Sequence, residues 1–174
     1  TIPKEKMNYT IDLLITMVTD EIAEGLMRTL IRNAAKAYEN QEDYDAMSEI
    51  MWCGSISHNG ITGLGRPKDF LCHKLGHQLG AKFDEAHGAT LSAVWGSWAR
   101  YVYKTNPGRF AQFGEKVFGI DASQTSDSDI TDTVLASITA WETWCHSIDM
   151  PTTLTELGIY PTDAQIEEMA EKCV

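Results

Sequence analysis

Apolar residues recur every three or four positions near the start of the chain, and this spacing constrains the fold more than any other feature. In an α-helix, residues three and four apart lie on one face, so the pattern forms a continuous apolar stripe. The stripe consists of Ile11, Leu14, Ile15, Val18, Ile22, Leu26 and Leu30. We therefore predict one long helix over roughly residues 9–38.

The same helical spacing continues through the rest of the 174 residues, and capping residues mark several helix ends. Asn106 and Gly119 suit the start and the end of one helix, and Thr162 with Gln165 suits the capping box of the last helix. The other predicted helices are the stretch YDAMSEIMWCGSISHNG, a helix with Pro67 in its first turn that carries His73, and segments marked by Leu91 to Val102 and Ile130 to Cys145. No convincing strand pattern is present. We predict an all-α bundle of about seven helices, forming a single helical domain over residues 1–174.

The charge balance of the chain disfavours two classes of partner. The formal net charge is −11 and the pI is about 4.8, whereas nucleic acids and anionic membranes are bound through Lys and Arg patches. No apolar stretch is long enough to span a bilayer, and no signal peptide opens the chain. The four cysteines contain no C-x-x-C pair, and we expect reduced, buried thiols. We predict a cytoplasmic protein that binds neither nucleic acid nor membrane.

Both ends of the sequence suggest that it belongs to something longer. The chain begins with Thr1 rather than an initiator methionine, and the helical spacing of Ile166, Met169 and Cys173 continues to the last residues without a Gly or Pro stop. We therefore expect the chain to be a fragment.

Three of the five histidines lie in one short stretch, CHKLGHQLGAKFDEAHG. His73 and His77 are four residues apart, so they share one face of a helix and are able to chelate one metal ion. The hydrolytic zinc motif H-E-x-x-H is excluded, because Lys74 stands where the Glu is required. A histidine pair of this kind in a helical protein is usually not a metal site, so the pair taken alone favours packing.

The residues that follow the pair strengthen the metal hypothesis. We expect Gly88 to permit a sharp turn after His87, so that His87 folds back over the helix of His73. The small residues Gly76, Gly80 and Ala81 in that helix allow a second backbone or a ligand to approach closely. Asp84 and Glu85 lie between the histidines and offer carboxylate oxygens, although a solvated turn is the favoured explanation for them.

The pattern of a His, three residues, a second His, nine residues and then His-Gly resembles the signature of the iron-containing alcohol dehydrogenases. Asn59-Gly60, Gly65 and Pro67 are similar to the loop that precedes this helix in the family, and the stretches DEIAEGLMRTLIRNAAKAY and MPTTLTELGI also match. The resemblance extends over nearly the whole chain and is closest to the butanol dehydrogenase-like branch. It implies the helical C-terminal domain of such an enzyme.

The resemblance also implies a role for each histidine. His73 and His87 would be metal ligands, and His77 would be a catalytic residue that faces the cleft where nicotinamide and substrate meet. The implied metal is divalent, with Fe²⁺ expected and Zn²⁺ possible, and it polarises the oxygen of an alcohol or aldehyde while hydride passes to or from NAD or NADP. A homo-oligomer is expected.

Two parts of the family pattern are missing from the sequence. In the family a separate, upstream D-x-x-x-H motif supplies the other two ligands, and the 174 residues contain D-x-x-x-H only at Asp69 to His73, where the histidine is one of the ligands already assigned. GITGLG follows no strand and lacks the glycine spacing of a dinucleotide-binding turn. We therefore expect an N-terminal nucleotide-binding domain to be a partner, and the chain alone to bind metal weakly and to be inactive.

Several other side chains are candidates for a functional site, and packing inside the protein is the alternative explanation for them. Helical spacing predicts that the five tryptophans pack in the core, and adjacent residues such as Cys145 and His146 point in different directions on a helix. His58 next to the glycine-rich loop is a candidate for lining the cleft. A di-iron bundle would need paired Glu-x-x-His motifs, and there are none. The alternative function is a non-enzymatic helical module whose histidines are incidental.

Overall fold

The structure, a computed structural model, describes residues 4–121 and 130–173, and for residues 4–15 it describes the backbone alone. The described residues form seven α-helices and no strand, which confirms the predicted all-α class. The helices are α1 (Lys4–Glu39), α2 (Tyr44–His58), α3 (Leu71–Phe83), α4 (His87–Val102), α5 (Pro107–Phe113), α6 (Ile130–His146) and α7 (Asp163–Glu171).

The chain divides into two structural units, residues 1–68 and residues 69–174. In the first unit α2 packs along α1, and the loop after α2 returns to α1. The Arg66 guanidinium donates to the Thr16 carbonyl oxygen over 3.1 Å and also pairs with the Asp20 carboxylate. The glycine-rich loop is therefore fixed to the middle of the long helix.

Helix α1 confirms the predicted long helix but buries a different set of residues. Val18 of the predicted stripe is 61% exposed, whereas Thr19 and Glu24 are buried. The side chains of Ile11, Leu14 and Ile15 lie outside the described residues. Trp52 on α2 is 64% exposed, so the prediction that every tryptophan packs in the core is wrong for this residue.

The second unit has two apolar clusters, one on each side of α4. One cluster joins α3 to α7 and comprises Leu79, Ile159 and Met169, with Phe83, Val94, Leu154 and Leu157 packed against it. The other joins α4 to α6 and comprises Ala99, Val134 and Ile138, with Trp95, Trp98, Tyr103, Phe110 and Ala111 around it. Because residues 94–99 in the middle of α4 contribute to both clusters, α4 is anchored between them.

Capping residues explain several of the helix ends. The Asn106 side chain accepts from the Arg109 backbone amide, Gly119 ends its segment with a φ of 70°, and the Thr162–Gln165 capping box is formed. Helix α3 differs from the prediction: it begins at Leu71, and Pro67 lies before it. The Asp69 carboxylate accepts from the Leu71 amide over 2.7 Å, so Asp69 satisfies a donor at this helix start.

Candidate metal centre

Helices α3 and α4 bring His73, His77 and His87 together. His73 and His77 lie one turn apart on α3, and His87 is the first residue of α4. The ring centroids of His73 and His87 are 5.4 Å apart, and those of His77 and His87 are 4.7 Å apart. The predicted return of His87 onto the α3 helix is therefore observed.

The turn between the two helices is built differently from the prediction. Gly88 is already inside α4, and Asp84 makes the turn instead, with a left-handed backbone at a φ of 58°. Asp tolerates this conformation better than most residues. The Asp84 amide donates to the Gly80 carbonyl oxygen over 3.0 Å and ends α3, and Ala86 is the extended residue from which α4 begins.

Gly76 allows the two helices to lie close together. It is buried, and a Cβ atom built at this position would lie 3.0 Å from Thr90 Oγ1 and 3.6 Å from His87 Cε1. Gly80 allows a similar close approach of the backbone after α3, since a Cβ atom built at Gly80 would lie 3.1 Å from the Glu85 carbonyl oxygen. The predicted role of these small residues, close approach of a second backbone, is confirmed.

The electrostatics of the cluster favour neutral imidazole at His87. Loss of hydration, followed by the nearby His77 and His73 rings, lowers the pKa of His87. Neutral imidazole is the form that binds metal ions. A histidine whose proton is weakly held is therefore suited to serve as a ligand at neutral pH.

The ring separation fits two ligands of one ion. A metal about 2.1 Å from each coordinating nitrogen holds the centres of two imidazoles roughly 5 Å apart. Both the His73–His87 and the His77–His87 separations lie near this value. The donor set is incomplete, because within residues 4–121 and 130–173 no three His, Cys, Asp or Glu side chains form a group able to hold a metal ion.

One aromatic residue at the site was not predicted from the sequence. Phe70 precedes α3, is 50% exposed, and sets its ring edge-on to His73 with centroids 5.4 Å apart. No periodic pattern includes Phe70, because it lies before the helix. Its contact restricts the orientation of the His73 imidazole.

The other candidates are accounted for by local contacts. His58 Nδ1 lies 2.9 Å from the Gly54 carbonyl oxygen of its own helix. His146 lies 3.1 Å from Glu156 rather than against the buried Cys145, whose pKa burial raises to about 12. The cysteines are free thiols, and burial is confirmed for Cys53, Cys145 and Cys173 but is only partial for Cys72. An apolar cavity of about 460 Å³ is lined from α3 by Leu71, Leu75 and Leu79, and none of the three histidines lines it.

The comparisons with known proteins agree with this architecture. The model of the Fe-containing alcohol dehydrogenase family, C-terminal, matches residues 10–174. NADH-dependent butanol dehydrogenase A of Clostridium acetobutylicum is 31% identical over 90% of this chain and 39% of its own length. NADPH-dependent aldehyde reductase YqhD of Escherichia coli is 32% identical over 82% of this chain and 35% of its own length.

The solved structures show the same fold. The crystal structure of NADH-dependent butanol dehydrogenase A from Thermotoga maritima has a TM-score of 0.79 at 29% identity, covering 99% of this chain and 45% of that one. A structure of YqhD from E. coli has a TM-score of 0.81 at 28% identity, covering 90% of this chain and 39% of that one. The chain thus spans less than half the length of these relatives. It belongs to the iron-containing alcohol dehydrogenase family and corresponds to the C-terminal domain of that family.

Proposed function

We propose that this chain is the metal-binding domain of an alcohol dehydrogenase that moves a hydride between an alcohol–aldehyde pair and NAD or NADP. The observation that carries the proposal is the meeting of His73 and His87 across α3 and α4 in a member of this family. Relatives that bear the names butanol dehydrogenase and aldehyde reductase support a small alcohol or aldehyde as substrate.

His73 and His87 are the proposed metal ligands. Each offers an imidazole nitrogen, and the spacing of their rings suits coordination of one divalent ion. Imidazole accepts Fe²⁺ and Zn²⁺ alike, and the family name favours iron. Once bound, the ion withdraws electron density from the substrate oxygen. The proposal includes an N-terminal nucleotide-binding domain as a partner, which supplies further ligands and holds the nicotinamide.

His77 is the proposed catalytic residue. It is exposed, it lies on the same face of α3 as His73, and its ring is 4.7 Å from that of His87. An imidazole in this position is able to pass a proton between the substrate oxygen and water or to orient the nicotinamide ring. The relatives are divided between NADH and NADPH by name, so either nicotinamide is compatible with the proposal.

Metal content and kinetics of the natural protein test the assignment. We expect NAD(P)-dependent oxidation of butanol that a chelator abolishes and that Fe²⁺ or Zn²⁺ restores. His73→Ala and His87→Ala should each lose metal and activity together. His77→Ala should keep its metal and lose about 10²–10⁴-fold in kcat, the range expected for a general acid–base group.

Two results would contradict the proposal. Metal content unchanged in both His73→Ala and His87→Ala would place the metal elsewhere. A natural protein with neither bound metal nor NAD(P)-dependent activity would favour the alternative, a non-enzymatic helical module. Arg109→Lys on α5 serves as a control, because it keeps the charge and lies outside the histidine cluster.

A further inference from the structure

The contact between α3 and α4 at Gly76 leaves no room for a side chain. A Cβ at this position would lie 3.0 Å from Thr90 Oγ1 and 3.1 Å from Leu91 Cδ2. Both distances are tighter than ordinary contacts of a real Cβ atom. Thr90 is fully buried, so its side chain has no open space into which to retreat. An added methyl group at residue 76 therefore requires its neighbours in the first turns of α4 to give way by a few tenths of an ångström.

Thr90 is tied to the histidine that begins the same helix. Its hydroxyl donates to the His87 carbonyl oxygen over 2.8 Å. The His87 imidazole itself lies 3.6 Å from the position of the missing Gly76 Cβ. A shift of Thr90 is therefore transmitted to the backbone and the ring of His87.

The consequence is a change in the separation of the two proposed ligands. His73 is carried by α3, on the Gly76 side of the contact, and His87 is carried by α4, on the Thr90 side. Metal centres require their ligands to lie within about 0.5 Å of the productive geometry. A displacement of a few tenths of an ångström at this contact uses up most of that tolerance.

We propose that Gly76 and Thr90 are positioning residues that set the distance between His73 and His87 and so control metal affinity. The proposal rests on the proposed function, in which these two histidines bind the metal. Neither residue touches the ion. Gly76 provides the space into which Thr90 fits, and Thr90 fixes the start of α4.

Gly76→Ala is the direct test, with Co²⁺ as the probe in the natural protein. We expect the Co²⁺ dissociation constant to rise by about 10- to 100-fold, as for losses of groups that orient metal ligands, and the visible absorption bands of bound Co²⁺ to change in position or intensity. Gly108→Ala on α5 is the matched control, since a Cβ there meets nothing within 4 Å. Its affinity and spectrum should be unchanged.

A compensating substitution separates positioning from a general loss of packing. Thr90→Ala removes the oxygen that an alanine at residue 76 would meet, and the other close atom, Leu91 Cδ2, is the far end of a flexible side chain that is able to give way. In a double-mutant cycle, the Gly76→Ala/Thr90→Ala variant should therefore bind Co²⁺ within about threefold of Thr90→Ala alone, because the two sites share one contact. Thr90→Ser keeps the hydroxyl and should retain Co²⁺ affinity. Thr90→Val loses the hydrogen bond to His87 and should bind Co²⁺ more weakly. These two variants test the role of Thr90 even if Gly76→Ala does not fold.

The outcomes distinguish this inference from the proposed function. If His87→Ala abolishes Co²⁺ binding while Gly76→Ala and Thr90→Val bind like the unaltered protein, the positioning role is wrong and the metal centre stands. If adding Gly76→Ala to Thr90→Ala weakens Co²⁺ binding by the same factor as Gly76→Ala weakens binding in the unaltered protein, the positioning role is again overturned. If His87→Ala binds Co²⁺ as tightly as the unaltered protein, His87 is not a metal ligand, and both the proposed metal centre and this inference are wrong.

Discussion

Single residues at the candidate centre differ in how far the sequence predicts them. The His73, His77 and His87 pattern identifies the cluster, because the spacing of the three histidines is specific and the resemblance gives each a role. Phe70 and Thr90 are not predicted, since each acts through a contact with a residue on a neighbouring turn or helix. Contacts of this kind depend on how helices pack, and no local pattern records them.

The thiols offer a prediction at the residue scale. Burial raises the pKa of Cys72 to about 11 and that of Cys145 to about 12, and nearby Asp69 and Glu142 respectively add to the shift. The thiolate is the reactive form, so both should resist alkylation by iodoacetamide at pH 7.5. Peptide mapping by mass spectrometry should show modification at least about tenfold slower than in the urea-unfolded chain. Equal rates in the two states would show that these thiols are neither buried nor protonated as described.

The sequence predicts that the helices exist better than it predicts the residues at which they begin and end. Periodicity and capping signals together locate the seven helices that the structure describes, and the expected caps at Asn106, Gly119 and Thr162 are formed. The start of α3 was misplaced because Pro67 fits an N-terminal turn in general, whereas Asp69 supplies the hydrogen bond that is made here. The sequence does not predict the more widely wound π-helical segment Gly114–Phe118, where Gly114 packs against Ser137 of α6 in a tertiary contact that no local pattern records.

The pairing of α3 with α7 predicts a pH dependence of stability. Hydrogen bonds from Lys172 and then from Lys82 lower the pKa of Glu168 to about 2. Lys82 on α3 lies 2.5 Å from the carboxylate, so the pair links the two helices. A carboxylate with a depressed pKa stabilises the fold above its unfolded pKa of about 4.3, and this stabilisation is lost as pH falls towards 2.

Thermal melts of Glu168→Gln measure this effect. The variant should have a lower Tm than the unaltered protein at pH 7, and the difference should shrink as the pH approaches 2. Added salt should also shrink it, because the pair is exposed. Glu167→Gln, at the exposed neighbouring position on α7, should show a smaller difference at pH 7. A Tm difference for Glu168→Gln that persists at pH 2 would show that the effect is not due to the charge.

The contact between α4 and α6 predicts a second change in stability. Ile138 is fully buried beside Ala99 and Val134. Ile138→Ala should lower the free energy of unfolding by about 2–5 kcal/mol, and Ile138→Val by about 0.5–1.5 kcal/mol, because removed methyl groups leave a cavity. Leu135→Ala on the same helix is the control, since Leu135 is 37% exposed. If urea unfolding shows that Leu135→Ala lowers the free energy of unfolding more than Ile138→Ala does, the described core is wrong.

At the scale of the whole molecule, the proposed metal centre takes only part of its ligands from the residues of this chain. The net charge of −11 is unsuited to nucleic-acid binding, and no described helix is long and apolar enough to cross a membrane. The chain spans 39% of the length of butanol dehydrogenase A from C. acetobutylicum, so the proposed hydride transfer depends on the N-terminal domain named in the proposal. The fold and family follow from the sequence and the comparisons. Identifying the residues that coordinate the metal requires a structure with the metal bound.

The position of the metal in the natural protein is the most direct test of the central claim. A crystal of the Fe²⁺-loaded protein, measured at the iron absorption edge, locates the ion through its anomalous scattering. We predict a peak about 2.1 Å from nitrogen atoms of His73 and His87, with His77 outside the coordination sphere. A peak between His77 and His87, whose rings are the closer pair at 4.7 Å, or no peak at this cluster, would contradict the account.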